Sequence, residues 1–350
     1  MAEKLKAQLA MQNLAYTMLD DFFNAHKEEV VEIEILPPHI EPENGICMVD
    51  GINIGLPKKI LALAYLQARQ LFFSSVEIEK ASSLALSTSR MILLFDPEHL
   101  TAANFRKRYL TRIRDSQDFN ETDYQSAVSR ELVFINSILT SPLHRQSKSP
   151  TLWHHRLWLL NLRLPLRTLD ESGNQLLILV TAELNDVLKS GERHPKNYYA
   201  WQYARRLHTQ IKTLHREEIE FSNASIFQSL VSASSVLVKE WCCKHPSDIS
   251  GWTFLLHLLS MVHLVAERHS IVKQVLEYAI NLQLKFESIW VFIRLALASD
   301  ILQGEQDATL HILQHYWKER ETLKKNDEID IHVVHTIEWV KKYKKPYLDP

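Results

Sequence analysis

The sequence predicts an all-α fold, a stack of helical hairpin repeats forming an α-α solenoid. Three observations predict it. First, one stretch recurs. His194-Pro195-Lys196-Asn197-Tyr198-Tyr199-Ala200-Trp201 has near copies at Ser147–Trp158 and His245–Trp252, and a degenerate one at Thr101–Tyr109. The anchoring aromatics Phe105, Trp153, Trp201 and Trp252 are spaced by 48, 48 and 51 residues, and Trp290 follows after 38 as a fifth, differently spaced candidate. Recurrence at such a period marks stacked units that bury a face only against their neighbours. Second, four residues before the first four aromatics stand Thr101, Ser149, Asn197 and Asp248. Their side-chain oxygens suit the orphan amides of a helix start, so each copy reads as loop, cap, then helix. Third, seven glycines in 350 residues, with long runs of Leu, Ala, Glu, Lys and Gln, favour helix throughout.

Taken in order, residues 2–27 carry apolar positions at helical spacing. Val30–Leu36 is β-branched, stops at Pro37-Pro38 and reads as an extended arm or strand. Residues 37–56 hold Pro, Gly and Asn and read as an irregular connection with a turn at Val49-Asp50-Gly51. Residues 1–56 thus form an N-terminal arm. From Pro57, placed as a first helical turn, residues 57–345 form the repeat domain. Its helix pairs are expected over about 78–115, 121–163, 171–215, 223–266 and 268–302, with a last pair over 305–343. In the first two copies Phe105/Arg108 and Trp153/Arg156 stand three apart, on one helix face, so the Arg can reach carbonyls or a carboxylate of the next repeat.

A formal charge of −2 gives no global basic field for nucleic acid. The loop 141–149, with His144, Arg145 and Lys148 and no acid, is a local basic patch, as is the lysine-rich run 341–345. Cys47, Cys242 and Cys243 have no metal or redox spacing and fit a reducing compartment. The charged N-terminus is not a signal peptide, and the apolar run 251–266 is too short to span a bilayer. The expectation is a soluble, cytoplasmic protein. His154 and His155 are adjacent and point to different sides of a helix, so no metal site is expected in this chain.

Trp153-His154-His155-Arg156-Leu157-Trp158 and Pro195-Lys196-Asn197-Tyr198-Tyr199-Ala200-Trp201-Gln202 resemble the repeat of the protein prenyltransferase α-subunit family. The resemblance covers about residues 80–300. The run Ile33–Pro38, followed by Met48–Gly55, is similar to the start of a repeat-containing branch of that family, distinct from the α subunits of farnesyltransferase and Rab geranylgeranyltransferase. The resemblance implies a right-handed superhelix of α-hairpins curled around a separate β subunit. That β subunit carries the catalytic zinc and the isoprenoid pocket; no cofactor is bound by this chain. It further implies a β subunit of the Rab geranylgeranyltransferase type and geranylgeranyl diphosphate shared with it. The protein substrate presents a C-terminal cysteine, as in a SNARE already carrying one farnesyl group.

Lys148, five residues before Trp153, matches the family lysine that approaches the isoprenoid diphosphate. It precedes the expected cap Ser149, where a diphosphate could meet both an ammonium and helix amides. A cation fixed there would stabilise charge growing on the departing diphosphate. Pro150, Trp153, His154, His155 and Arg156, and in the next copy Lys196, Asn197, Tyr198, Tyr199 and Trp201, are candidates for the β-subunit or substrate surface. Asn197 as a plain cap and Tyr198 as a packing residue are the bland alternatives. Departures from the family pattern are Pro150 in place of a Tyr, Ser147 in place of a Pro, and Ala204, Leu255 and Ile293 three after the later tryptophans. The C-terminal repeats are therefore expected to lack the buried Arg. Two readings stand. One is the α-type subunit of a protein geranylgeranyltransferase, inert alone. The other is a non-catalytic α-solenoid interaction scaffold. A tetratricopeptide array is disfavoured because the period is nearer 48 than 34.

Overall fold

A computed structural model describes residues 2–75, 82–167, 174–217, 221–303, 306–322 and 328–344. The expected helix starts at 78, 171 and 305, and Lys345 of the basic run, lie outside them. The fold is all-α and repeat-built: fifteen helices run through the described residues beside one small sheet. The chain divides into two compact units, Met1–Leu169 with Lys189–Tyr203, and Asp170–Leu188 with Ala204–Pro350.

The first unit opens with α1 (Ala2–Ala25), whose buried face carries Tyr16, Leu19, Phe22 and Phe23. The arm then differs from its expected form. Residues 37–56 are not simply irregular; they contain β2 (Met48–Asp50) and β3 (Asn53–Pro57). β3 pairs antiparallel with β2 and parallel with β1 (Glu32–Leu36), giving the order β1-β3-β2. The turn at Asp50-Gly51 is where the sequence put it. Gly51 at φ +55 occupies the first central position of a two-residue hairpin loop, which favours glycine. Pro57 ends β3 rather than starting a helix, and α2 spans Lys58–Ser75.

The hairpins follow as α3 (Ser82–Phe95), α4 (Leu100–Arg114), α5 (Glu121–Leu139), the short α6 (His144–Ser147) and α7 (Pro150–Arg167). Helices adjacent in sequence pack on one another, and α4 also packs on α7. The sheet is tied to this stack. Ser137 Oγ accepts from Val31 N at 3.0 Å. Glu32 meets Lys189 at 2.5 Å and Arg193 at 2.6 Å, on the end of α8 (Asn174–Arg193). Burial alone would raise the Glu32 pKa, but the two cations hold it below the ordinary value.

The second unit takes α9 (Tyr198–Glu217) from Ala204 on, then α10 (Phe221–Lys244), α11 (Ile249–Leu259), α12 (Val265–Asn281), α13 (Glu287–Ala298), a 3₁₀ turn Asp300–Leu302, α14 (Gln306–Thr322) and α15 (Glu328–Tyr343). Here α11, α13 and α15 pack side by side, as do α10 and α12. That two-layer stacking is what a helical-hairpin repeat array requires. α11 is shorter than its expected span. Gln228 on α10 acts as a surrogate peptide for the chain leaving it, donating to Met261 O at 3.3 Å and accepting from His263 N at 2.8 Å.

One lock is shared by three copies. The indole N–H of Trp153 donates to Ser147 O at 2.8 Å, that of Trp252 to Pro246 O at 3.0 Å, and that of Trp290 to Leu284 O at 2.8 Å. In each case the carbonyl lies six residues upstream. The lock brings Trp290 into the same register despite its different spacing. Each indole is buried and spends its one donor on the loop before its own helix, as a buried Trp must.

Three expected caps are found. Ser149 accepts from Leu152 N at 3.1 Å, Asn197 from Ala200 N at 3.4 Å, and Asp248 from Ser250 N and Gly251 N at 2.9 and 3.0 Å. Thr101 is not a cap. The turn at Asp96-Pro97-Glu98 starts α4 earlier, and the His99 side chain accepts from Ala102 N at 3.2 Å. The first copy is therefore displaced by two residues, with Ala103 in the tryptophan position and Arg106 in the arginine position. Arg108 is exposed; Arg106 is the buried one.

Candidate functional site

In the first unit, the end of one copy bonds to the start of the next. The hydroxyl of the cap Ser149 lies 3.3 Å from Pro97 O, and the cap Asn197 donates to Ser147 O at 3.0 Å. Both acceptors are the carbonyl six before a tryptophan position, and Ser147 O serves both the lock of its own copy and the cap of the next. Asn197 is fully buried and also donates to Ser190 Oγ at 3.0 Å; Ser190 reaches Leu139 O at 3.0 Å. Ser147, in the place of a family proline, meets Ser190 Oγ at 2.9 Å. A hydroxyl is used there because a buried polar network would otherwise lose a partner.

The arginines complete the scaffold. Arg106 clamps Glu131 through Nε at 2.8 Å and through Nη2, and its Nη1 donates to Leu86 O and Ser89 Oγ. Arg156 donates to Asn136 Oδ1 at 2.9 Å and lies 5.8 Å over the Tyr203 ring. His155 is fully buried, with Nε2 3.3 Å from Glu131. Burial pushes its pKa down from 6.5 to about 4, against the pull of Glu131, so it stays neutral at pH 7. The second unit keeps more of this than expected. Arg294, one place later than the pattern, is buried and pairs with Glu287. The arginine is lost at Leu255, which is fully buried.

The candidate residues therefore fall into two sets. Trp153, His155, Arg156, Asn197 and Trp201 are buried scaffold. Pro150, His154, Lys196, Tyr198 and Tyr199 are exposed, and Lys148 is half-buried. Tyr198 and Tyr199 pack edge to face, with centroids 5.4 Å apart. Lys148 Nζ donates to Pro195 O at 3.1 Å, which brings it beside Lys196. Lys196 has φ +59, a left-handed backbone that costs a non-glycine residue on the order of 1 kcal/mol or more. It projects from a turn braced below by Asn197 and Trp201. Arg145 shares this end of the helices but is paired with Asp96 at 2.7 Å, so the basic loop is partly neutralised.

Sequence reasoning missed Glu98. Its carboxylate accepts from Ser149 Oγ and, at 2.5 Å, from Thr151 Oγ1 at the start of α7. An anion is favourable at a helix N-terminus, and this one is supplied from the preceding copy. The place considered for a diphosphate beside Lys148 thus already holds a carboxylate. The available signal was the Pro97-Glu98 pair, which holds in its own copy the place of Pro195-Lys196. Among the described residues no group of three His, Cys, Asp or Glu could hold a metal ion, and no helix is long and apolar enough to cross a membrane.

Comparison with known proteins finds relatives at low identity. A model described as the ECM9 middle domain matches residues 157–282. The human geranylgeranyl transferase type-2 subunit alpha is 28% identical over 171 residues, 49% of this chain and 27% of that protein. Its Saccharomyces cerevisiae counterpart is 23% identical over 265 residues, 72% of this chain and 70% of the relative. Protein ECM9 of the same yeast is 27% identical over 171 residues, 48% of this chain and 37% of the relative. The chain's match with the human relative spans about a quarter of that protein's length. The relatives thus include geranylgeranyl transferase subunits alpha, at low identity, and the name subunit marks those relatives as parts of assemblies.

Proposed function

We propose that this chain is the α-type subunit of a heterodimeric protein geranylgeranyltransferase, working with a β subunit of the Rab geranylgeranyltransferase type. The observation that carries the reading is the Pro195–Tyr199 turn. It presents an exposed lysine in a left-handed backbone and two exposed tyrosines on a fully buried base. Surface aromatics held rigidly in this way are typical of binding anchors, and strained residues concentrate at working sites.

In this reading the exposed set, Pro150, His154, Tyr198 and Tyr199, meets the β subunit or the protein substrate. Lys148 and Lys196 face the departing diphosphate of geranylgeranyl diphosphate. Their ammonium groups are fixed before reaction, so they stabilise charge that appears only as the bond to C1 breaks. The zinc expected in the β subunit supplies the substrate cysteine as thiolate. A farnesylated SNARE is the proposed protein substrate, and the cytoplasm the proposed compartment.

A second reading, the non-catalytic scaffold, is favoured by one specific observation. Lys148 is spent on Pro195 O and the α7 terminus is filled by Glu98. Both groups then have structural work alone. Co-expression with the β subunit, followed by a geranylgeranyl-transfer assay of wild type, Lys148→Ala and Lys196→Ala, separates the two. The catalytic reading expects an intact complex with turnover lowered about tenfold or more by loss of a preorganised cation. Unchanged turnover in both variants assigns all the chemistry to the partner.

A further inference from the structure

Within the first unit, away from the turn described above, α1, α3, α4 and α5 enclose a cleft of 220 Å³. Its apolar half is made by Phe23, Leu86, Leu110 and Phe134, with the Phe23 and Phe134 rings edge to face at 6.2 Å. Four cations line it, Lys27, Arg90, Arg106 and Arg130, against the carboxylates Glu29 and Glu131.

The charges are not equally satisfied. Arg106 and Glu131 neutralise one another at the floor. Arg130 pairs with Glu28 at 2.6 Å, and Glu29 with His26 at 2.9 Å. Arg90 differs. Its guanidinium lies 5.7 Å over the Phe23 ring and donates to the neutral Asn24 Oδ1 at 2.8 Å. Among the described residues no carboxylate lies within ion-pair distance of it. Asp20, the nearest acid in charge terms, accepts from Ser87 and Asn24 instead. Burial first, then the like charge of Arg106, push Arg90 down to about 10, still protonated at neutral pH. A half-buried cation on an aromatic wall with no carboxylate in ion-pair contact is costly, and an incoming anion on it would lower that cost.

We propose that this cleft is a binding site for a small amphipathic carboxylate, with its carboxylate on Arg90 and its aromatic or short aliphatic body between Phe23, Leu86 and Phe134. The volume exceeds that of engineered apolar cavities of about 150 Å³ that take up benzene. It therefore accommodates a ring or short chain carrying one carboxylate. The planar fork of Arg90 matches a carboxylate in two-pronged fashion, which a lysine would not.

Titration calorimetry of the full chain with sodium benzoate, and with benzamide as its neutral isostere, tests the assignment. Benzoate should bind saturably at millimolar concentrations, about tenfold tighter than benzamide. Arg90→Gln should abolish that preference. Ala127→Phe fills the cleft and leaves Arg90 in place, so it should remove binding of both. Melting curves of the ligand-free variants show whether each is folded, and the benzoate-to-benzamide ratio on wild type stands independently of them. Equal binding of the two probes, benzoate binding that survives Ala127→Phe in a folded protein, or no saturable binding to wild type would each overturn the proposal.

Discussion

The copies at Trp153 and Trp252 share a cap, an indole lock and a buried aromatic, and differ in what joins them to their neighbours. At Trp153 the joints are polar. Ser149 reaches back to Pro97 and Glu98, Arg156 reaches Asn136, and Ser147 receives Asn197 from the following copy. At Trp252 apolar contacts carry more of the joint, beside one bond from Ser288 Oγ of the following copy to Ser247 O at 3.1 Å. Asp248 caps its own helix, Leu255 replaces the arginine, and the Trp252 ring lies 5.1 Å from Phe292. Directional bonds fix a loop in one position, whereas apolar packing fixes only the helix beneath it. The copies with polar joints are the ones that hold the Lys148 and Lys196 loops in defined places.

The comparison can be broken most forcefully at Arg106. Arg106→Ala leaves Glu131 buried and unpaired, and should cost about 3–5 kcal/mol in urea unfolding. At the equivalent position of the apolar copy, Leu255→Met should cost less than about 1.5 kcal/mol, while Arg106→Met should approach the alanine value.

The next effect is pH-dependent and cuts across both units. His208, like His155, is fully buried, and burial lowers it to about 4. In the unfolded chain each takes a proton near its ordinary 6.5, so the unfolded state binds more protons between those values. Stability should therefore fall as pH drops from about 6.5 toward 4, by on the order of 3 kcal/mol for each histidine. His155→Gln should flatten that slope without reversing it, as read from unfolding free energies across the range.

Caps give a smaller contrast. Asp248→Ala should cost about 1 kcal/mol, an ordinary cap. Ser149→Ala should approach about 2 kcal/mol, because it also removes a donor from Glu98. The smallest effect is expected at Lys196→Gly. Relief of the left-handed backbone offsets the added freedom of the unfolded chain, leaving stability within about 1 kcal/mol. Geranylgeranyl transfer by the complex should still fall.

The sequence made the repeat and the caps legible because both are written in residue types at fixed offsets. Trp153, Trp201 and Trp252, and Ser149, Asn197 and Asp248, could be aligned by eye. The indole lock could not, because its acceptor is a backbone carbonyl that any residue supplies. The first copy was misaligned by two for a related reason. Phe105 looks like the anchor, whereas His99 caps α4 and Ala103 stands where a tryptophan would. Arg106 was overlooked with it. The sheet escaped notice because β2 has three residues and β3 ends in Pro57, too short for an alternating pattern to register. For the candidate site, residue types pointed to the right turn, but Glu98, 51 residues before Ser149, is joined to it only by the fold.

The central claim is that this chain is built to be held by a β subunit. Co-expression with a Rab-type geranylgeranyltransferase β subunit, with the mass of the purified product read by light scattering, tests it most directly. The account predicts a one-to-one complex that survives size exclusion and is weakened by Tyr198→Ala with Tyr199→Ala. Two separate species, each eluting at its own mass, would contradict it.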